Sequence, residues 1–370
     1  LDGRLPPTDL TGSHLYEVME LCVSCKACKS ECPSSVDMAR IKTEFLAHYY
    51  ETNGLPLRNR LFAAIGTLSQ LSSGTLAPPA NWMLKNGLIR QALHRFLGIS
   101  RERSLPPFAR MPFTTWHKNR FVGVRRALSL QNVVLAAGTY YTYNYPEVAI
   151  AAVEVLEAAG FEVIVPPVTE YGRPAFSKGM VDQARKTART VLDTFAPYAA
   201  ESLPIIFLEP SDLSMLIDDY EALLPDDERL PHIAQHCTSF EQLIAQQADA
   251  GTLNLTFTDA KQHIILHGHC HQKSLIGMTP AHRILTLPPN YTVEELDTSC
   301  CGMAGSFGYE AEHYDISRQM AEMRLWPGVR AADDDTMIVA AGVSCRQQIA
   351  HGTERHALHP AEVLRMALVK

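Results

Sequence analysis

The chain has 370 residues, 46% of them apolar and 20% charged, with a formal net charge of −7. That length suffices for two or three domains with a real core, and the composition is ordinary for a globular protein. The acidic balance argues against a nucleic-acid backbone as partner, and no uninterrupted apolar run reaches the ~20 residues of a membrane-spanning helix.

The first residues, "LDGRLPPTDL", do not begin with Met and carry no signal-peptide pattern. They read as the interior of something longer, so a fragment or a processed piece is expected. Nine cysteines follow, at positions 22, 25, 28, 32, 237, 270, 300, 301 and 345. Without a secretory signal they point to a cytoplasmic protein whose thiols bind metal rather than form disulfides.

"CVSCKACKSECP", 22–33, has the spacing C-x2-C-x2-C-x3-C-P. This is the ligand run of a [4Fe–4S] cluster: three close thiolates wrap one face of a cubane, and the cysteine before proline reaches a neighbouring cluster in two-cluster proteins. A zinc knuckle is the alternative, but zinc sites use two separated C-x2-C pairs. Residues 1–21 hold no cysteine. Either Cys22, Cys25, Cys28 and Cys32 all hold one cluster, or Cys32 serves a second cluster supplied with upstream sequence.

"DMARIKTEFLAHYYETNG" predicts a helix capped by Asp37, with Ile41, Phe45 and Tyr49 on one face. Residues 56–100 hold two more helical patterns broken by "GTLAPPA". In the second, Trp82, Ile89, Leu93 and Phe96 form an apolar face, with Lys85, Arg90 and Arg95 elsewhere. Such a helix can lie on a membrane or a partner, but core packing is the expected role. Residues 101–120 are Pro-rich and basic, a linker or wrapping segment.

From residue 131 the texture becomes α/β. "NVVLAAGT", "FEVIVPP" and "LPIIFLEPS" read as buried strands, and "PEVAIAAVEVLEAAG" as a helix closed by Gly160. Alternation of strand and helix implies a parallel sheet covered on both faces. The second half repeats the pattern. "HIILHGHC", 263–270, matches "NVVLAAGT", 132–139; "CCG", 300–302, falls on "EYG", 170–172; and "MIVAAGVSC", 337–345, falls on "PIIFLEPSD", 204–212. Cys270, Cys300, Cys301 and Cys345 therefore correspond to Thr139, Glu170, Tyr171 and Asp212.

Cys270 and Cys345 follow apolar strands, where parallel sheets build sites. Gly302, Gly305 and Gly308 are expected to let the "CCG" loop approach a bulky ligand. Four thiols from three loops then converge on one centre, an iron–sulfur cluster or zinc, with four buried structural cysteines as the bland alternative. His267, His269 and His271 flank Cys270 and are candidates to ligate, to hydrogen-bond a sulfur or to move a proton. Glu170 and Asp212 are expected to form a salt bridge with Arg173, or to hold a cation.

Together, "CVSCKACKSECP", "HCHQKSL", "CCGMAGSFGYE" and "GVSCRQQ" resemble the iron–sulfur part of FAD-linked D-2-hydroxyacid dehydrogenases of the D-lactate and D-2-hydroxyglutarate type. The tandem α/β part is similar to the cysteine-rich CCG domains of heterodisulfide reductase and of the iron–sulfur subunit of anaerobic glycerol-3-phosphate dehydrogenase. The resemblance implies a helical ferredoxin-like region at 1–55, incomplete here, a helical and Pro-rich linker at 56–130, and two α/β CCG-type domains at 131–235 and 236–370. It also implies an electron-transfer module. FAD would sit only in a partner domain or subunit, and electrons would pass to a quinone or another acceptor, with contact at the inner membrane surface as one option. A disulfide-reducing cluster subunit and a zinc-bound structural module are the competing readings. No catalytic residue is assigned, for no flavin fingerprint appears. Two departures stand out. Gly342 occupies the place of an earlier cysteine in a C-x2-C pair, and the first repeat has lost its thiols.

Overall fold

The computed structural model describes residues 11–120 and 131–369. The opening decapeptide behind the fragment reading, and the end of the expected linker at 121–130, lie outside the described residues. Asp37 does cap the helix Met38–Asn53, its Oδ1 accepting the N–H groups of Ala39 at 2.9 Å and Arg40 at 3.2 Å. The buried face differs from the predicted one. It is Ala39, Lys42, Thr43, Leu46 and Tyr50, and Ile41 is exposed. Lys42 turns inward because its ammonium donates to the carbonyls of Cys22 at 2.6 Å and Glu20 at 3.1 Å.

Four helices follow, Leu57–Ala63, Ile65–Ser72, Ala77–Lys85 and Gly87–Leu97. "GTLAPPA" separates two helices as expected, Ile65–Ser72 ending before it, and also starts the second: Pro78 and Pro79 stand in its first turn, where a missing N–H costs nothing. Asn86 ends that helix and caps the next through Oδ1, so 81–98 is two helices. The expected core stripe is not in a core. Trp82 and Phe96 are 63% and 83% exposed, as is Leu88 beside the stripe at 80%, while Ile89 and Leu93 are only half-buried.

The α/β region holds two sheets of four parallel strands each. The first contains β1 (Gln131–Ala136), β2 (Phe161–Ile164), β3 (Ile205–Phe207) and β4 (Cys237–Ser239), in the order β2-β1-β3-β4. The second contains β5 (Gln262–Leu266), β6 (Tyr291–Glu295), β7 (Met337–Val339) and β8 (Ala357–Leu358), in the order β6-β5-β7-β8. The repeat holds to the residue. Val134 pairs with Ile205, and their counterparts Ile265 and Ile338 pair likewise. It also extends beyond the sequence match. Ser239 after β4 forms a capping box with Gln242, and His359 after β8 forms one with Glu362. The first sheet thus takes its last strand from beyond residue 235.

The two units pack through corresponding helices. Pro146–Ala158 of the first lies on Pro360–Ala367 of the second, and Phe240–Asp249 of the first on Thr279–Leu285 of the second. Val148, Ala152 and Leu156 meet Val363, Leu364 and Ala367 in one core. Fully burying a residue such as Leu156 stabilises by roughly 1.5–3 kcal/mol. This pairing turns the carboxyl ends of both sheets toward a common space.

Candidate metal centres and the cavity between them

The N-terminal loop is shaped by two residues in the left-handed region, Ser24 (φ 51°) and Lys26 (φ 62°). Lys26 lies between cysteines of the motif and is 1% exposed. Its ammonium reaches Asp218 and Asp219 at 2.6 Å each and Asp37 at 3.1 Å. Asp218 and Asp219 close a turn of π-helix, Met215–Asp219, an irregularity that often accompanies functional sites. Lys26 thus anchors the cysteine loop to the first α/β unit, and nothing in the spacing of the motif announced it. Cys28 Sγ accepts the N–H of Met38 at 3.4 Å. Burial pushes the Cys25 thiol up, the Ala27 N–H opposes this, and the nearby Cys270, Cys22 and Cys28 push it further. The groups acting on Cys32 are different. Its thiol is lowered by the N–H groups of Val36, Ser34 and Ser35, and no cysteine is among them.

In the second unit Cys270 opens the helix Cys270–Leu275, and Cys345 is third in Val343–Thr353. Cys300 and Cys301 follow β6. The thiols form a run, Cys270 to Cys300 to Cys301 to Cys345, in which each acts on its neighbour's proton. Sharing protons along it lowers Cys270 to about 7 and Cys301 well below the usual thiol range, while Cys300 and Cys345 are raised. A ring nitrogen of His267 and the sulfurs of Cys301 and Cys345 lie within 4.8 Å of one another. His267 Nδ1 is 2.8 Å from Thr298 Oγ1. Its Nε2 is buried with no hydrogen-bond partner of normal geometry, and the ring's nearness favours the Cys301 thiolate. Cys270 and Cys300 lie outside that close group and join it only through the thiol run. Thiols that compete for protons beside an orphaned imidazole nitrogen suit a soft cation, and the residues fit zinc or an iron–sulfur centre.

The other two histidines do different work. His269 caps its helix by accepting the His271 N–H at 3.2 Å, and its ring fills the space beside Gly342. A Cβ there would stand 2.3 Å from His269 Cδ2, which gives a steric reason for the absent cysteine. His271 is a strut. Its Nε2 donates to the Ser24 carbonyl at 2.9 Å, and its Nδ1 is 2.9 Å from Ser214 Oγ. Burial, then the Arg173 charge, lowers its pKa well below the ordinary value and keeps it neutral. With the Ser274 hydroxyl on the Cys25 carbonyl at 3.3 Å, it holds the two cysteine groups against each other.

Two of the three glycines of the "CCG" loop, Gly302 and Gly308, serve packing, whereas Gly305 has nothing within 4 Å and lines a cavity. Gly302 has φ 84°, and a Cβ there would meet the Ser317 carbonyl at 2.6 Å; at Gly308 it would meet Ser317 Oγ at 2.7 Å. In the first unit Tyr171, the counterpart of Cys301, is a fully buried core ring against Phe195 and Phe207. The expected salt bridge of Arg173 with Glu170 and Asp212 is not made. Arg173 turns to Asp219 and to Ser214 Oγ at 2.6 Å, because the anionic cluster around Lys26 lies on that side.

A cavity of about 190 Å³ lies where these parts meet. Cys22, Cys270, Cys300 and Cys301 line it on one side and Thr139, Glu170 and Asp212 on the other. At its edge the His313 imidazolium bridges Glu20 and Glu310. Burial opposes its charge, but the two carboxylates hold its pKa at about 9. No spacing along the chain joins Glu20 to Glu310 and His313, so only the fold reveals the group.

No protein-family model matches the chain. It is 23% identical over 358 residues to D-2-hydroxyglutarate dehydrogenase of Escherichia coli, an alignment covering 94% of this chain and 34% of that protein. It is 26% identical over 339 residues to the C subunit of anaerobic glycerol-3-phosphate dehydrogenase of the same organism, covering 91% and 83%. Lactate utilization protein A of an Exiguobacterium species is 27% identical over 248 residues, covering 65% and 97%. The chain therefore spans about a third of the length of the D-2-hydroxyglutarate dehydrogenases it matches.

Proposed function

We propose that this chain, a relative of the C-terminal part of D-2-hydroxyglutarate dehydrogenases and of the C subunit of anaerobic glycerol-3-phosphate dehydrogenase, is the iron–sulfur electron-transfer module of a flavin-dependent 2-hydroxyacid dehydrogenase. A flavin in a partner domain or subunit oxidises the hydroxy acid. Cys22, Cys25 and Cys28 hold a [4Fe–4S] cluster, with Cys32 serving a neighbouring one. Cys270, Cys300, Cys301 and Cys345, with His267 beside them, hold a second centre, iron–sulfur in preference to zinc. These groups supply one-electron carriers; the protein sets their spacing and potential. The observation that carries the reading is the docking of the Cys25 loop on the Cys270 helix through His271 on the Ser24 carbonyl at 2.9 Å and Ser274 on the Cys25 carbonyl at 3.3 Å, a join that a relay needs and two unrelated structural metals do not. The test is an anaerobic reductive titration of protein reconstituted with iron and sulfide, followed by electron paramagnetic resonance. Two reducible centres are expected. A colourless protein holding zinc alone would sink the proposal.

Residues 56–120 contribute a surface to the same function. They carry ten Lys and Arg against a single acid, Glu102; Arg103 is buried and Arg58 and Arg120 are paired with carboxylates, but the rest accompany Trp82, Leu88 and Phe96, which face solvent. Among the described residues no helix is long and apolar enough to cross a membrane. Basic charge with exposed apolar rings instead suits an anionic lipid surface, worth ~1 kcal/mol per cation. Co-sedimentation with anionic vesicles at low salt, weakened by Trp82→Ser and Phe96→Ser, is the expected result. No binding at low salt would remove this part.

A further inference from the structure

The first α/β unit has no cysteine at the four positions that match the second unit's thiols, yet the residues in their places are not inert. Glu170 stands where Cys300 stands and Asp212 where Cys345 stands, and both half-buried carboxyl groups open onto the cavity that Cys270, Cys300 and Cys301 line. Room is left for them. A Cβ at Gly66 would lie 2.9 Å from Glu170 Oε2, and one at Gly138 2.5 Å from Asp212 Oδ2. Glu170 accepts the Gly172 N–H at 2.9 Å and the Thr139 hydroxyl at 3.3 Å. Among the described residues neither carboxyl has a salt bridge, and neither belongs to a group of three or more metal-ligating side chains.

The cations on the cavity wall are already engaged. Lys42 is spent on backbone carbonyls, Lys178 on Glu310, Arg173 on Asp219 and His313 on its two carboxylates. An anionic ligand would find no free partner among them. Tyr50, Phe62, Tyr140 and Phe307 give the same wall an aromatic character, which suits a flat neutral ring.

We propose that Glu170 and Asp212 are catalytic residues that donate the two protons when the quinone acceptor is reduced in this cavity. The inference rests on the electron-transfer reading above. With centres held at the cysteines, the two electrons would come from the hydroxy acid through the partner flavin and arrive one at a time. The O–H bonds of the two carboxyl groups break, two O–H bonds form at the quinone oxygens, and water at the cavity mouth reprotonates the carboxylates. Their protonation fits this role. Burial raises the Glu170 pKa against the Gly172 N–H, and burial, then the Glu209 charge, raises Asp212 well above the carboxylate range despite Arg173.

The test uses the holoprotein and menadione as probe. Calorimetry should show menadione binding that Ile65→Trp, which fills the cavity rim, abolishes. Infrared spectra of the intact protein near neutral pH should show protonated-carboxyl absorption that Asp212→Asn diminishes; this reading survives if the activity variants fold poorly. Glu170→Gln with Asp212→Asn should leave the metal content and dithionite-reduced spectrum intact but slow menadione reduction about a hundredfold, the usual contribution of a positioned proton donor. Absence of that absorption, no menadione binding, an unchanged rate in the double variant, or reduction of a small disulfide in place of menadione would each overturn the proposal. A protein that takes up no iron fails at the earlier reading. A loaded, reducible protein that ignores menadione fails only here.

Discussion

Lys26→Met removes the cation that pins the N-terminal cysteine loop to the first α/β unit. The ammonium has no solvent exposure and faces Asp37, Asp218 and Asp219 at 3.1, 2.6 and 2.6 Å. Its loss leaves three carboxylates crowded in a site they cannot leave. Breaking a buried ion pair from one side costs about 3–5 kcal/mol. Three neighbouring cations limit the damage: Arg40 stays 2.6 Å from Asp218, Lys29 also holds Asp218, and Arg173 holds Asp219. The expected loss is therefore about 3 kcal/mol, the low end of that range. Lys26 also holds a left-handed conformation that costs an L-residue about 1–2 kcal/mol, so Lys26→Gly serves as a control that relieves the backbone but not the charge. Urea unfolding reads the stability, and iron content reads the loop. Lys26→Met should lower both, with the metal of the Cys270–Cys345 group kept. A loss below about 1 kcal/mol, the size of an exposed pair, would refute the anchoring argument.

Three further outcomes are expected. The Glu20–His313–Glu310 group sets a pH window: raised to about 9, His313 contributes stability in full below the ordinary imidazole value of ~6.5 and loses it as pH rises through 9, while Glu310, held at about 2, contributes in full above the ordinary ~4.3 and loses it as pH falls. Thermal melts should thus plateau between these limits, and His313→Gln should remove the alkaline decline. Gly302→Ala, which meets the Ser317 carbonyl at 2.6 Å with φ 84°, should cost about 1–3 kcal/mol of overpacking beyond the conformational strain, whereas Gly305→Ala, with nothing within 4 Å, carries the strain alone. Gly342→Cys should lower the melting temperature against the His269 ring and bind no additional metal, and His269→Ala in the same chain should restore the melt.

Much of this architecture was legible because parallel strands buried on both faces are written as apolar runs. "NVVLAAGT" and "HIILHGHC" mark β1 and β5, and the residues between the runs align Cys300 with Glu170 and Cys345 with Asp212. The thiol groups were legible for a related reason: a ligand run is short in sequence, and the "CCG" loop announces itself. What escaped were contacts between distant segments. Lys26 reads as an ordinary surface lysine inside a motif, and only the fold brings Asp218 and Asp219 to it. Glycine misled as well, since Gly302 and Gly308 clear space for Ser317 and not for a ligand. The stripe through Trp82 and Phe96 looked like core because periodicity reports an apolar face, not what covers it.

Two adjacent thiolate-bound centres that exchange electrons are the core of the proposed function. Cys301→Ser separates them most directly, because Cys301 sits between Cys300 and Cys345 in the thiol run and beside His267. Iron, sulfide and zinc should be counted in the wild type and the variant, and the electron paramagnetic resonance of each recorded after full reduction. The wild type should hold two centres whose signals broaden each other, and Cys301→Ser should lose the metal of the second alone, leaving the Cys22–Cys28 signal unbroadened. Unchanged metal content in Cys301→Ser would contradict the two-centre relay and leave the paired cysteines as packing.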